Sequence, residues 1–186
     1  MKIGILAVQG AFIEHQAALD QLGISSIAIR QKKDLNSISG IILPGGESTT
    51  QSKLLHSLDL FHPLQSMINH GLPVLATCAG LILLAQNITP DKSPHLATLP
   101  VKVKRNAYGR QLGSFETVGN VGEIKNYPMT FIRAPYITDI SDGVETLSTI
   151  DGKIVAVKYQ KQIGLAFHPE MTNDLRIHEA FLKVVA

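Results

Sequence analysis

The chain has 186 residues, of which 45% are hydrophobic and 17% charged, and its formal net charge at pH 7 is +2. This composition excludes a disordered or low-complexity chain, and the small net charge argues against a polybasic surface for nucleic acid. The length predicts a single domain over residues 1–186. One cysteine excludes an internal disulfide and a C-x-x-C metal site, and it fits a reducing compartment, so we predict a cytoplasmic protein.

The first half of the chain alternates strand and helix patterns. The apolar runs 2–8, 24–29, 40–43 and 73–77 predict strands. Apolar residues at helical spacing predict helices that start at Phe12, at Ser48 as N-cap, at Leu60 and at Ala79, the last running to Gln86. This βαβα order predicts an open, mostly parallel α/β sheet with helices on both faces, a flavodoxin-like three-layer arrangement.

The second half contains shorter strand patterns. Runs 101–104, 114–118 and 129–133 predict strands, and Asp151-Gly152 between runs 144–150 and 153–159 predicts a hairpin. A further strand at 163–167 leads into His168, and Asn173 is expected to cap a last helix that ends near Val185. We expect these strands to form an antiparallel extension of the same sheet.

Cys78 is the sharpest chemical feature of the sequence. It lies in the segment 75–80 (LATCAG), between a predicted buried strand and an apolar helix. Such a strand-to-helix turn has the geometry of a nucleophile elbow, which needs small residues two positions away on either side; Ala76 and Gly80 meet that need. The turn places the sulfur at a helix N-terminus, where backbone N–H groups favour a thiolate. Taken alone, Cys78 fits a buried structural cysteine equally well.

His168 and Glu170 supply the groups that a cysteine nucleophile needs. In an extended segment after strand 163–167, residues i and i+2 share a face, so the carboxylate can orient the imidazole and stabilise its charged form. Open α/β sheets bind ligands at this end of their strands. The other histidines lack such a setting and are interpreted as ordinary helix or loop residues: His15, His56, His62, His70, His95 and His178.

The segment 44–48 (PGGES) is the third candidate feature. Two glycines after a short strand permit unusual backbone angles, and the helix start behind them offers N–H groups to an oxyanion. A phosphate-binding loop is a poor alternative, because the G-x-x-x-x-G-K-[ST] pattern is missing and Glu47 would repel phosphate. On its own, the segment also fits an ordinary strand-to-helix turn.

Together these motifs resemble the class I glutamine amidotransferases, and more closely the glutaminase subunits of pyridoxal 5′-phosphate synthase (the PdxT/SNO family). The resemblance covers essentially the whole chain, in the order and spacing of that family. It is carried by the blocks 43–50 (LPGGESTT), 77–85 (TCAGLILLA), 105–106 (RN), 109–111 (GRQ), 131–135 (FIRAP) and 167–170 (FHPE), and the opening segments 4–6 (GIL) and 8–11 (VQGA) also fit.

The resemblance implies a Cys-His-Glu glutaminase. Cys78 would attack the side-chain amide of glutamine, His168 would act as general acid and base, and Glu170 would orient His168. A γ-glutamyl thioester would form and be hydrolysed to glutamate. The implied glutamine-binding residues are Gly46, Glu47, Ser48, Arg105, Ile132 and Arg133. The implied oxyanion hole and its activating loop comprise Gly45, Gly46, Ala79, Gln9 and Gly10.

The family also implies a partner. Ammonia would pass to a separate (β/α)8-barrel synthase subunit, in a complex of twelve copies of each subunit, and glutaminase activity would stay low until that subunit docks. A channel is physically reasonable, because free ammonia is protonated in water and loses its nucleophilicity. No metal or cofactor of its own is expected for this chain, since pyridoxal 5′-phosphate is the product of the complex. Nucleic-acid and membrane partners are not expected.

The sequence departs from the family at few positions. Ala76 stands where many class I glutaminases have Gly, which could shift the elbow slightly, and Ala107 and Tyr108 stand where Ser and Phe are frequent.

Three alternatives remain open. A different cysteine hydrolase or redox protein on a related fold leaves blocks 44–48 and 131–135 unexplained. A non-catalytic binding subunit predicts loss of a triad member, and none is missing. A glutaminase serving histidine or purine synthesis fits the blocks around Arg105 and Arg133 less well.

Overall fold

A ten-stranded mixed sheet is the framework of the computed structural model, which describes residues 1–90, 95–105 and 113–186. The strands are β1 (Ile3–Leu6), β2 (Ser26–Ile29), β3 (Gly40–Leu43), β4 (Val74–Thr77), β5 (Ala85–Thr89), β6 (Leu99–Lys104), β7 (Ser114–Val121), β8 (Ile124–Ile132), β9 (Tyr136–Ile140), β10 (Glu145–Ile150), β11 (Lys153–Tyr159) and β12 (Gln162–Leu165). The α-helices are α1 (Phe12–Gln21), α2 (Ser48–Ser57), α3 (Phe61–Asn69), α4 (Ala79–Leu84) and α5 (Arg176–Val185), with 3₁₀ turns at Lys32–Leu35 and Pro169–Met171.

The parallel core of the sheet has the strand order β2-β1-β3-β4-β12. Every residue of β1, β3, β4 and β12 is buried, as expected for parallel strands that are covered on both faces. The predicted fold class, an open and mostly parallel α/β sheet with an antiparallel extension, is confirmed. Ligand sites in such sheets lie beyond the carboxyl ends of the strands, and this edge is where the candidate residues converge.

The antiparallel extension continues from β12 through β11 and β9 to β6, while β10 pairs with β11. The predicted hairpin is confirmed: Asp151 and Gly152 have φ values of 48° and 73°, the positive angles that a two-residue turn of this type requires. One expectation was wrong, because β7 and β8 do not join the large sheet. They form a separate two-stranded sheet, on which Phe115 stacks against Phe131 at 4.5 Å between ring centroids.

Two element boundaries differ from the prediction. The apolar helix α4 ends at Leu84 rather than Gln86, and the chain then enters β5, which the sequence did not predict. Gln86 and Asn87 are exposed while Ala85 and Ile88 are buried, so the apolar run is too short to tell a helix from a strand. Strand β9 was also missed.

Two predicted helix caps were wrong. Glu47, not Ser48, caps α2, because its longer side chain reaches the backbone N–H groups of Thr49 and Thr50. Helix α5 begins at Arg176 after Leu175, and the side chain that accepts from its first N–H is Asp174 Oδ1 at 3.1 Å rather than Asn173. Within the described residues, no helix is both long and apolar enough to cross a membrane.

Candidate active site

The candidate residues surround one cleft of about 430 Å³ at the carboxyl edge of the sheet. The loops after β1, β3, β4 and β12 all reach it. Its lining includes every site residue predicted from the sequence except Glu170, which lies behind His168: Gln9, Gly10, Gly45, Gly46, Glu47, Ser48, Cys78, Ala79, Arg105, Ile132, Arg133 and His168. Ala11 and Ile82 complete the lining. The segment 106–112, which holds the 109–111 block and Ala107, lies outside the described residues.

Cys78 occupies the turn between β4 and α4 in a conformation that few residues adopt. Its φ is 49° and its ψ is −101°, and its backbone N–H donates to Leu165 O at 2.8 Å. A side chain at Gly80 would place a Cβ 2.1 Å from Leu43 O, so only glycine allows this close approach. Ala76 is fully buried, paired with Leu43 on β3 and with Gly164 on β12. The strand pairing on both sides therefore accommodates its methyl group.

His168 lies in the same cleft as Cys78 and contacts a buried carboxylate. Its Nδ1 lies 2.7 Å from Glu170 Oε1. The backbone N–H of His168 donates to Thr130 O at 2.9 Å, which ties the segment to β8. The predicted extended backbone was wrong, since Pro169–Met171 forms a 3₁₀ turn. That turn nevertheless brings the two side chains together.

The electrostatics of this pair favour a charged imidazole. Burial acts to lower the pKa of His168, but its interactions with Cys78 and with the Glu170 carboxylate outweigh it and raise that pKa to about 10. Burial also acts to raise the pKa of Glu170, yet the neighbouring imidazoles of His15 and His168 hold it below its usual value. The site therefore holds a proton on His168 and a negative charge on Glu170 at neutral pH.

Gly45 packs directly against the His168 ring. A Cβ at this position would lie 2.3 Å from His168 Cε1 and 2.9 Å from Nδ1, closer than atoms approach in real structures. The glycine of the predicted loop is thus required by direct contact with the imidazole. Its backbone carbonyl accepts a hydrogen bond from Ala11 N–H at 3.0 Å.

The loop after β1 is interlocked with the loop after β3. Gly10 has φ of 104°, and a Cβ there would lie 2.0 Å from Gly45 O. The Gln9 side chain accepts from Glu47 N–H at 2.8 Å, and its backbone carbonyl accepts from the side chain of Gln51 at 3.0 Å. The Gly45 carbonyl points toward Ala11 N–H, from which it accepts a hydrogen bond. Because C=O and N–H point in opposite directions in a trans peptide, the N–H of Gly46 points away from Ala11.

Opposite charges meet at the outer wall of the cleft. Glu47 Oε1 lies 3.0 Å from Arg105 Nη2, and Arg105 Nη1 donates to Thr49 Oγ1 at 3.3 Å. Burial acts to raise the pKa of Glu47, but hydrogen bonds from Thr50 and Thr49 lower it to about 2. Ser48 is buried at the start of α2 and lines the same cleft. A carboxylate and a guanidinium thus stand side by side at the cleft entrance.

Ile132 and Arg133 close the cleft on the side of β8. Ile132 O lies 3.9 Å from Cys78 Sγ, and Arg133 has a φ of 43°. This positive φ turns the chain sharply out of β8, which places both residues in the cleft lining. The described parts of the chain contain no group of three or more His, Cys, Asp or Glu side chains arranged to hold a metal ion.

Two histidines that the sequence did not single out lie directly behind the site. His15 and His178, interpreted from the sequence as ordinary helix or loop residues, lie on helices but are fully buried, and His15 Nε2 lies 3.3 Å from Glu170 Oε2. Their positions carried a signal: each lies on the apolar stripe of its helix, next to Ala18 and Leu19 or to Ile177 and Phe181. A polar residue on such a stripe needs a buried partner.

Comparison with known proteins decides the family. The model of the SNO glutamine amidotransferase family matches residues 5–186. The chain belongs to the SNO glutamine amidotransferase family. A Desulfitobacterium hafniense (strain Y51) protein named pyridoxal 5′-phosphate synthase subunit PdxT is 57% identical over 187 residues, covering 100% of this chain and 94% of that protein. A Streptococcus pneumoniae (strain ATCC 700669 / Spain 23F-1) protein of the same name is 50% identical over 188 residues, covering 99% and 97%.

Solved structures agree with this assignment. A crystal structure described as a glutamine amidotransferase has a TM-score of 0.95 at 39% identity and covers 98% of both chains. PurLQS from Thermotoga maritima has a TM-score of 0.74 at 13% identity, covering 100% of this chain and 99% of that one, which is a likeness of fold alone. The predicted family and enzyme class are confirmed: this SNO family member is a glutaminase of the glutamine amidotransferase type.

Proposed function

We propose that this SNO family member hydrolyses L-glutamine to L-glutamate and ammonia through Cys78, His168 and Glu170, and supplies the ammonia to a partner synthase subunit that makes pyridoxal 5′-phosphate. The observation that carries the proposal is that Cys78 and His168 line one cleft, with Glu170 Oε1 2.7 Å from His168 Nδ1. It supplies a nucleophile, a proton carrier and an orienting carboxylate in the order that amide hydrolysis needs.

The first step releases ammonia. His168 holds the proton of the Cys78 thiol while Sγ adds to the carbonyl carbon of the glutamine side chain, and the developing oxyanion is stabilised by backbone N–H groups of Ala79 and of the Gly45-Gly46 loop. The C–N bond then breaks as His168 passes its proton to the departing nitrogen. The products are ammonia and a γ-glutamyl thioester on Cys78. The raised pKa of His168 supports this role, because the proton to be transferred is present at neutral pH.

The second step frees the Cys78 sulfur and restores the proton on His168. Neutral His168 takes a proton from water, and the resulting hydroxide attacks the thioester carbon. The C–S bond breaks, and glutamate leaves with the oxygen of that water. Glu170 stabilises the imidazolium in both steps without itself taking the proton. The reaction uses only side chains and backbone amides of this chain, with no metal or cofactor.

The cleft entrance supplies complementary charges for an α-amino acid. The carboxylate of Glu47 suits the α-ammonium group of glutamine, while Arg105 and Arg133 suit its α-carboxylate. Gly46, Ser48 and Ile132 complete the contacts with the substrate. Because Glu47 and Arg105 pair with each other at 3.0 Å, glutamine has to exchange this ion pair for its own. That exchange couples substrate binding to the geometry of the loop after β3.

The partner is a (β/α)8-barrel synthase subunit, in a complex of twelve copies of each subunit. The names of the relatives that are 57% and 50% identical support this part of the proposal, since both are called subunits of pyridoxal 5′-phosphate synthase. Ammonia keeps its nucleophilicity only if it travels unprotonated, which favours a direct channel. We place the complex in the cytoplasm, where a nucleophilic thiol stays reduced.

Two nitrogen sources test the proposal. The natural chain and Cys78→Ala are each combined with the synthase, and pyridoxal 5′-phosphate formation is measured with glutamine or with an ammonium salt. We expect the natural chain to support formation from both sources and Cys78→Ala to support it only from the ammonium salt. Formation from glutamine with Cys78→Ala at the natural rate would contradict the proposal. Glutamate release is expected to rise when the synthase is added.

A further inference from the structure

Two buried histidines extend the contacts of Glu170 away from the cleft. His15 Nε2 lies 3.3 Å from Glu170 Oε2 and also 3.3 Å from Thr77 Oγ1. On the other side of its ring, His15 Nδ1 lies 3.0 Å from His178 Nε2. A line of contacts therefore runs from His168 through Glu170 and His15 to His178, which joins α1 and α5 to the back of the site.

The chemistry of the groups fixes where the protons lie. A carboxylate oxygen only accepts, so His15 Nε2 must carry a proton to face Glu170 Oε2 favourably. Burial lowers the pKa of His15, so the ring is neutral and its Nδ1 is an acceptor. His178 Nε2 must then donate to it. Burial lowers the pKa of His178 to about 4, so its buried Nδ1 carries no proton, which agrees with the lack of a described hydrogen-bond partner at that atom.

We propose that His15 is a positioning residue for the glutaminase reaction, holding Glu170 from the side opposite His168, and that His178 fixes the tautomer of His15 that can do so. This inference rests on the proposed function, because it gives His15 a role only if Glu170 orients His168 during catalysis. Neither histidine lines the cleft, so neither acts on glutamine directly.

The burial of Glu170 explains why a second polar contact matters. Its side chain is fully buried, and water cannot replace a lost partner there. Oε2 has no hydrogen-bond partner within the described residues, so the His15 Nε2 group 3.3 Å away acts on it by electrostatic attraction. Without that attraction, the carboxylate is driven to rotate or to take up a proton. Either change weakens its 2.7 Å contact with His168 Nδ1 and misdirects the imidazole. We therefore expect loss of His15 to lower kcat and to leave the KM for glutamine nearly unchanged.

Four variants separate positioning from simple packing. His15→Leu removes the donor, whereas His15→Gln keeps an N–H group on a side chain long enough to reach Glu170. His178→Leu removes the donor that sets the tautomer of His15. Thr98→Val is the matched control, because Thr98 Oγ1 donates a buried 2.8 Å hydrogen bond to Gln162, at the amino end of β12, far along the strand from His168.

Each variant is assayed in complex with the synthase, with kcat and KM for glutamine determined separately and the folded state checked by thermal melting. We expect kcat to fall by about 10- to 100-fold in His15→Leu, and to recover to within a few-fold of the natural value in His15→Gln. We expect a several-fold fall in His178→Leu. Thr98→Val is expected to melt at a lower temperature with unchanged kcat.

Opposite results would overturn the proposal. A folded His15→Leu with kcat within about twofold of the natural chain would do so, and so would equal losses in His15→Leu and His15→Gln. If His15→Leu does not fold, an unchanged kcat in His178→Leu decides against the proposal. Cys78→Ala in the same assay separates the two hypotheses, since its full activity would contradict the proposed function itself.

Discussion

The two sides of His168 are held in different ways. On the cleft side, the polar groups are partly open to solvent: the side chains of Glu47 and Arg105 are 48% and 20% exposed. On the rear side, the side chains of Glu170 and His15 are fully buried. Exposed ion pairs contribute about 0–1 kcal/mol, whereas a buried charge that loses its partner costs about 3–5 kcal/mol. The rear contacts therefore fix the geometry of the imidazole, and the cleft contacts are free to rearrange around a substrate.

The difference explains how one site combines precision with adaptability. The ring of His168 lies between Gly45 and Glu170 and contacts both, so its orientation is set without a ligand in the cleft. The loops that carry Gln9, Gly46 and Glu47 are joined by hydrogen bonds that can be exchanged for contacts with substrate or partner. Substitutions behind His168 should thus change turnover, and substitutions in front of it should change substrate binding.

The largest expected effect concerns the rear carboxylate. Glu170→Gln removes the charge that stabilises the His168 imidazolium, and its amide can present an N–H instead of an acceptor to Nδ1. We expect kcat to fall by about 10³-fold or more, with little change in the KM for glutamine. Steady-state glutamate release in the synthase complex measures both constants. Glu14→Gln, an exposed glutamate on α1, is the control and should match the natural chain. A fall in kcat of less than tenfold in Glu170→Gln would contradict a decisive role for the contact between Glu170 and His168.

The contact between Gly45 and the His168 imidazole gives the next largest effect. Gly45→Ala would place a methyl group 2.3 Å from His168 Cε1, which forces the ring or the loop to move. A displacement of about 1 Å in a catalytic group lowers rates by about 10²-fold, and we expect a loss of that order in kcat. Gly113→Ala, where an added Cβ meets nothing within 4 Å, is the matched control. Equal kcat values for the two variants would argue against direct contact between Gly45 and the His168 ring.

The rear histidines also predict an acid-dependent loss of stability. His178 has a folded pKa of about 4, below its ordinary value of 6.5, so between these values the unfolded chain binds a proton that the folded chain excludes. The stability is fully present above pH 6.5 and declines by up to about 3 kcal/mol as pH falls toward 4.

Denaturant unfolding at several pH values measures this slope. We expect His178→Leu to flatten it and His62→Leu, at an exposed position on α3, to leave it unchanged. An unaltered slope in His178→Leu would show that other groups cause the acid sensitivity.

The smallest expected effect lies at the cleft entrance. Glu47→Ala removes the N-cap of α2 and the ion pair with Arg105, and we expect a loss of about 1 kcal/mol in the free energy of unfolding. The KM for glutamine should rise several-fold while kcat changes less. Glu116→Ala, at an exposed position on β7, controls for loss of a surface carboxylate. If kcat changes more than KM, Glu47 acts on the orientation of His168 rather than on substrate binding.

The parallel core was predictable from the sequence because its signals are local. Buried runs such as 40–43 and 73–77 are bounded by Pro and Gly, and the strand-to-helix turn around Cys78 is encoded by small neighbours. Strand β5 was missed because the run before it is apolar enough for either a helix or a strand. The caps failed because Glu47 reaches back over two residues, a geometry that residue preference alone does not reveal.

The cleft-side residues were predictable, and the rear cluster was not. Cys78, His168 and the 44–48 loop belong to compact motifs, each of which indicates its own chemistry. The contact between His15 and His178 joins residues 163 positions apart, and only the packing of α1 and α5 brings them to Glu170. Their places on apolar helix stripes indicate burial but not which partner they meet.

The most direct test of a Cys78 thioester is to run the glutaminase reaction in the synthase complex with hydroxylamine present. Hydroxylamine attacks a γ-glutamyl thioester and yields γ-glutamyl hydroxamate instead of glutamate. With the natural chain, we expect hydroxamate to rise at the expense of glutamate while glutamine is consumed, and with Cys78→Ala we expect neither product. Glutamine consumption by folded Cys78→Ala at the natural rate would contradict catalysis through this cysteine.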